Sequence, residues 1–392
     1  MNKKIKVLFL SSRLPYPPVG GDRLKNHWLL KILSRHFKVH LVSIAEEPVP
    51  EEFFYWAKKI NLDFKIFYKK KPVFILNALK GVFSGGSPIQ VSYYYFRDVK
   101  DYIKKIYSNF DLIWATLIRT AKYVIELDKP KVLDMADSIG LNYQRSAEKT
   151  TSLFWKIFYK IESKRLLNFE KKCIEKFDRV LFFNPEERAY FKNPEKTRWI
   201  PHGVNEALLE YEKKDEHYRN FVAFFGKMDY QPNIDAVIWF AKNVLPLLKK
   251  EIKFIVVGAR PTRQVLKLTK NPRVVVTGYV EDPYLILKSC LCVVAPMQTG
   301  GGIQNKILET MALGTINIIS SLAGKPIQAK HGEHYFVIDS PEEIAMKIHE
   351  IYENPEKFEM IKKNAREFIK KHFTWSIYER EVIKVIREVL QC

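Results

Sequence analysis

The stretch APMQTGGGIQNKILETMALG (295–314) holds the residue types and spacing best suited to chemistry. An apolar run ends at Pro296, three glycines follow at 300–302, and a helical pattern opens near Ile303. The backbone N–H groups of 302–305, with Gly301, Gly302, Ile303 and Gln304 at their head, are therefore expected to project from a helix N-terminus. Such a terminus attracts a phosphate, because unpaired amides and the helix dipole both favour negative charge and glycines let the anion approach closely. Lys306 and Glu309 are three apart and share a face of that helix. A cation for phosphate oxygens and a carboxylate for sugar hydroxyls would then sit together. The plainer alternative is a glycine-rich turn whose lysine and glutamate form a solvated pair.

Two further places invite a role. SSRLPYPPVGGDRLKNHWLL (11–30) sets Gly20 and Gly21 between an apolar run and a helix opening near Asp22, with Arg23 one residue on. An ordinary strand-to-helix turn with a surface arginine would look the same. KVLDMADSIGLNY (131–143) closes a strand with Asp134 and Asp137. Asp137 falls where a ligand cleft is expected and could orient a bound sugar; the competing reading is a helix cap, supplied by Asp or by Ser138. The nine histidines and four cysteines show no metal-ligand spacing.

Positioning these residues requires a particular set of elements. Short apolar runs alternate with segments of helical period, the pattern of parallel strands joined by crossover helices. Strands are expected at 5–11, 39–45, 64–68, 112–116, 131–137 and 179–184, then at 221–227, 253–259, 274–280, 291–296 and 316–320. Helices are expected over 22–35, 151–177, 233–250, 263–270, 283–289, 304–313 and 341–352. The class is α/β, with two doubly wound sheets facing a cleft and ligands beyond the strand carboxyl ends. The polar stretch 205–219 is the expected boundary.

The chain's 392 residues suit two domains, and 47% hydrophobic with 28% charged residues excludes a disordered chain. Its net charge is +21, of which residues 1–200 carry +17. That asymmetry suits a polyanionic partner: lipid head groups, phosphorylated substrates or nucleic acid. Sparse cysteine suggests a reducing cytosol. The apolar run Val7–Leu10 is too short for a signal peptide, and no stretch approaches the roughly 18 apolar residues of a membrane span.

The segment 295–314 resembles the donor-binding motif of retaining glycosyltransferases of the GT-B architecture, family 4, and GGGIQNKILE is similar to a variant associated with bacterial exopolysaccharide clusters. Other matches follow in order: IPHGVN (200–205), FFGKMDYQPNIDAVIWF (224–240), VVGARP (256–261) and VTGYVEDPYLILKS (276–289). The resemblance implies a first domain over 1–204, a nucleotide-sugar domain over 205–374, and a terminal helix, 375–392, returning to the first domain. It implies that Glu309 binds ribose hydroxyls, that Lys227 contacts the diphosphate, and that backbone around Tyr279 and Val280 cradles the base. Gly301 stands where the motif has a first glutamate, and Asn233 where the loop has a second lysine, for which Lys306 would compensate. Gly20, Gly21 and Arg23 would lie near donor phosphate and acceptor, with Asp137, Lys227 and Lys306 carrying the reaction. The implied activity is metal-independent, retaining sugar transfer from a nucleotide-sugar donor to a lipid-linked or glycan acceptor. A sugar-nucleotide epimerase of the same architecture is the alternative. A nucleic-acid binder is suggested by charge alone, without a recognition motif.

Finally, TSLFWKIFYKIESKRLLNFEKKCIEKF (151–177) mixes aromatics and lysines, and Lys69, Lys70 and Lys71 precede an apolar run. Basic amphipathic helices of this kind lie on anionic membranes. The expectation is a cytoplasmic protein held peripherally on the inner face of the membrane; a core helix with a solvated lysine face competes.

Overall fold

The structure, a computed structural model, describes residues 4–83, 87–300 and 302–391. Its contacts divide the chain into two units, one running to Pro201 and resuming at Tyr378, the other spanning His202–Ile377. The polar stretch 205–219, the expected boundary, belongs wholly to the second unit. It is fastened there by a Tyr211 hydroxyl bond to Asp282 (2.7 Å), an Asp215 amide bond to Ser289 (2.8 Å) and an Arg366 bond to the Leu209 carbonyl.

In the first unit the strands are β1 (Lys6–Ser11), β2 (Lys38–Ala45), β3 (Asp63–Tyr68), β4 (Leu112–Thr116), β5 (Lys131–Ala136), β6 (Arg179–Phe182) and β7 (Thr197–Trp199). They form one sheet in the order β3-β2-β1-β4-β5-β6-β7, every pair parallel. Helices cover both faces, so central strands are apolar along their whole length. Leu8, Leu10, Ile113, Ala115, Leu133 and Met135 accordingly pack into one buried core. The strand order reverses between β1 and β4, which opens a crevice at their carboxyl ends.

The second unit contains β8 (Phe221–Phe225), β9 (Lys253–Val257), β10 (Val274–Gly278), β11 (Cys292–Ala295), β12 (Asn317–Ile319) and β13 (Phe336–Val337). These form a parallel sheet in the order β10-β9-β8-β11-β12-β13, with its reversal between β8 and β11. Two doubly wound parallel sheets are the architecture expected from the sequence.

Sequence periodicity missed two strands, β7 and β13. Both are sheet edges of three and two residues, too short to show an apolar run. The expected helix 233–250 ends as an α-helix at Asn243 and continues as a 3₁₀ turn over Leu245–Leu247. Pro246 explains the break, since it lacks an amide hydrogen and clashes with the preceding turn. The expected helix 263–270 likewise splits into Arg263–Leu266 and a 3₁₀ turn. The last helix, Trp375–Leu390, carries Tyr378, Val382 and Ile386 into burial, and Glu379 pairs with Arg35 at 2.9 Å.

Candidate functional site

In the second unit the chain leaves β11 and turns through Gly300 and Gly302, both at positive φ, into the helix Asn305–Ala312. Gly302, at φ +75°, cannot belong to a right-handed helix, so the helix starts at Asn305 rather than near Ile303. Gln304 caps it without a side-chain hydrogen bond to the helix amides, and the N–H groups of Ile307 and Leu308 return to its carbonyl. The amides of Asn305 and Lys306 meet no acceptor among the described residues. The helix therefore opens two residues beyond the expected start near Ile303, and of the expected amides 302–305 that of Asn305 heads it. Ile303 and Gln304 are half-buried, Gly302 is buried, and Gly301 lies outside the described residues.

Lys306 and Glu309 do not form the solvated pair that spacing allowed. Lys306 is 8% exposed and its Nζ donates to Asn233 Oδ1 at 2.5 Å, lies 3.7 Å from Met297 Sδ, and stands 4.4 Å above the Phe224 ring. No carboxylate pairs with it among the described residues. Burial therefore lowers its pKa to about 7. Asn233 also donates from Nδ2 to the Lys227 carbonyl at 2.8 Å, which ties the buried ammonium to the loop after β8. The ammonium of Lys306 thus reaches, through space, the position at which Asn233 stands in sequence.

Lys227 is partly exposed, with Asp229 at 3.6 Å. The same aspartate faces Arg260 at 3.6 Å, and the Met228 amide bonds the Ala259 carbonyl at 2.9 Å, so the loops after β8 and β9 are tied together. Gly258 makes that approach possible: a Cβ there would fall 1.8 Å from the Gly226 carbonyl oxygen. Glu309 accepts from the Tyr284 hydroxyl at 3.4 Å, and burial pushes its carboxyl up to about 7 despite that bond. Tyr279 is 80% exposed just beyond β10, and Val280 beside it is half-buried. Lys227, Lys306, Gln304 and Glu309 are thus drawn together by the carboxyl ends of β8 and β11. Arg260, Asn233 and Tyr284 join them, and no periodic pattern marks these three.

The first unit holds the remaining candidates. Gly20, at φ +97°, precedes the helix Gly21–His36 and supplies no side-chain cap. Arg23 lines a cavity of about 410 Å³ with Arg13, Tyr16 and Glu46. Asp137 follows β5 and is half-buried, with Oδ1 unbonded among the described residues. It is not the helix cap: Ser138 Oγ takes the Leu141 amide at 3.1 Å. Burial raises the Asp137 carboxyl, while Lys25 and Arg145 act to lower it. Its neighbour Glu187 accepts from the Ser138 amide at 2.6 Å and from Arg145 at 2.9 Å, yet burial, reinforced by Asp137, pushes it up to about 7. Asp134 is fully buried and paired with Lys25, a positioning contact beneath the strand ends. Lys25, Arg145 and Glu187 were not singled out by the sequence, since each reads there as an ordinary helical charge.

A helix N-terminus beside a buried lysine, with a carboxylate one turn further along, can take a phosphate group and neighbouring hydroxyls. Residues 219–354 match the family model described as Glycosyl transferases group 1. With the fold, this defines the class: the chain is a transferase of GT-B architecture, and its likeness to group 1 glycosyl transferases lies within the second unit. It is 23% identical over 389 residues to an uncharacterized 44.6 kDa protein in the cps region of Klebsiella pneumoniae, spanning 94% of this chain and 96% of that protein. Among solved structures it is similar to Anabaena HepE in complex with UDP, at TM-score 0.67 and 16% identity, over 98% of this chain and 100% of that one. It is also similar to WaaG, a glycosyltransferase involved in lipopolysaccharide biosynthesis, at TM-score 0.66 and 14% identity, over 96% and 98% of the two chains. The family match favours glycosyl transfer over the epimerase alternative.

Proposed function

We propose that this chain transfers a sugar, with retention, from a nucleoside-diphosphate sugar to a hydroxyl of a lipid-linked or glycan acceptor, as a family 4 enzyme of exopolysaccharide or envelope-glycan synthesis. The observation that carries this reading is the buried Lys306 ammonium, which lacks a carboxylate partner among the described residues and belongs to the first turn of a helix whose leading amides are open. A departing diphosphate supplies the missing negative charge. Preorganised donors in a desolvated site stabilise such a leaving group more than water does. Lys227 adds a second cation, and its bond to Asp229 is long enough to exchange for phosphate. In this reading the charge of the leaving group is carried by protein cations rather than by a metal ion.

In this reading Glu309 receives ribose hydroxyls, Tyr279 and Val280 lie beside the base, and Asp137 orients the sugar or the acceptor. UDP is the first donor nucleotide to test, on the likeness to HepE, and the cps-region relative supports a place in polysaccharide synthesis. The reaction is assigned to the cytoplasmic face of the membrane, where a lipid-linked acceptor is presented.

The test is direct. Thermal shift with UDP, GDP and their sugars identifies the donor, and release of nucleoside diphosphate with and without membrane extract measures transfer. Lys306→Ala and Lys227→Ala are expected to lower donor affinity at least tenfold. Undiminished donor binding and turnover in the Lys306→Ala protein would sink the proposal.

A further inference from the structure

Two helices of the first unit present apolar side chains outward. In the helix Lys71–Phe83 a narrow stripe through Phe74 and Gly81 faces the protein. Val73, Ile75, Leu76, Leu79 and Val82 are each 41–53% exposed. This reverses the usual arrangement, in which a surface helix turns its polar face to solvent. The helix Leu153–Lys176 buries side chains fully only from Glu162 onward, with Phe158 and Tyr159 half-buried before it. Its first turns leave Leu153, Phe154, Trp155, Ile157 and Ile161 each at least 47% exposed. These two short segments hold ten of the twenty-two exposed large apolar side chains among the described residues. Scattered single exposures need no explanation, but contiguous ones mark a contact surface.

Tertiary packing sets the two helices on either side of the short helix Ile89–Tyr93. Phe74 meets Tyr93 with ring centroids 4.9 Å apart, and Gly81 is pressed against Ser92, where a Cβ would fall at 2.5 Å. On the other side the Ile89 amide donates to Glu162 Oε2 at 2.7 Å. No acidic residue occurs in 69–83 or 149–161. Lys70, Lys71, Lys80, Lys156 and Lys160 have no ion pair among the described residues.

We propose that these two helices form one docking surface for an anionic lipid bilayer, with the aliphatic and aromatic side chains entering the head-group boundary and the lysines meeting lipid phosphates. Charge decides between occupants. A second copy of this chain would set like-charged lysine rims against one another. Nucleic acid would engage the lysines and leave the aliphatic face in water. An anionic bilayer satisfies both at once. No helix of the described residues is long and apolar enough to cross the membrane, so the contact is interfacial. The inference deepens the reading of a lipid-linked acceptor, and it can be tested without donor or acceptor.

The experiment is flotation of the full chain with vesicles of phosphatidylcholine, alone or mixed with phosphatidylglycerol. At least tenfold stronger partition onto the anionic vesicles is expected, weakening as salt rises. The pairs Leu76→Glu with Leu79→Glu, and Phe154→Glu with Trp155→Glu, are each expected to reduce partition about tenfold or more. Lys70→Gln with Lys71→Gln should flatten the salt dependence. All three variants should keep the parent melting temperature and nucleotide-induced thermal shift, so a failure to float leaves the donor reading standing. Equal partition onto neutral and anionic vesicles, no partition at all, or a dimer abolished by the same substitutions would overturn the proposal.

Discussion

Lys306 and Glu309 sit three residues apart, and burial drives their pKa values to about 7 from opposite directions. For Lys306 the folded value lies below the ordinary 10.5, so the unfolded chain binds more protons between the two values and stability rises with pH across pH 7–10.5. For Glu309 the folded value lies above 4.5, so its contribution is present below that pH and is lost as pH rises to about 7. Denaturant titrations should show the alkaline gain reduced in Lys306→Met, the remainder belonging to Lys25, Lys122, Lys131 and Lys288, which burial also lowers. The acid-side loss, between pH 4.5 and 7, should be reduced in Glu309→Gln; the remainder there belongs to Asp137, Glu170 and Glu187, whose carboxyls burial also raises. Binding should report the same lysine. A diphosphate favours the protonated amine, so donor affinity measured by calorimetry is expected to fall above about pH 7, and Lys306→Met should lose that limb. A wild-type affinity independent of pH from 6 to 9 would contradict this assignment. Both residue types and their spacing were legible in the sequence. Their separation was not: a helical wheel places Lys306 and Glu309 on one face, whereas packing draws the lysine under the β8 loop to Asn233.

At the scale of elements, the central strands follow from apolar period, because strands covered on both faces must be continuously apolar, whereas helices such as Glu51–Lys59, Arg97–Ile106, Leu117–Val124 and Glu359–His372 were not expected from it. β7 and β13 escaped that reasoning because two or three residues carry no period. Pro246 divided a run that hydrophobicity alone would continue. The loops between strand and helix depend on close approach, which glycine content hints at without locating. Gly258→Ala should test this: its Cβ would overlap the Gly226 carbonyl, and urea unfolding is expected to show a loss of about 1–3 kcal/mol without change in the denaturant slope. The helix at Ile139–Lys149 offers a second test. Ser138 both caps it and donates to Glu170 at 2.6 Å, so Ser138→Ala should cost about 1–2 kcal/mol.

At the scale of the molecule, the chain ends by returning from the second unit to the first. Val382, Val385 and Ile386 are buried on the last helix, and Glu388 meets Arg179 and Arg198 at 3.5 and 3.7 Å. Ile386→Ala should therefore weaken the first unit by about 2–5 kcal/mol. The nucleotide-induced thermal shift of the second unit is expected to persist; its loss would show that the two units do not unfold separately. Length, hydrophobic period and the glycine-rich turn before a helix by themselves determined two doubly wound sheets and marked the segment proposed to meet phosphate, since backbone hydrogen bonding and side-chain period are local properties. Only tertiary structure decided which charges are buried without counter-ions, which loops lock together through Asn233 and Asp229, and which helices leave apolar faces uncovered. Those outcomes depend on the distance between residues remote in sequence and on the water excluded around them.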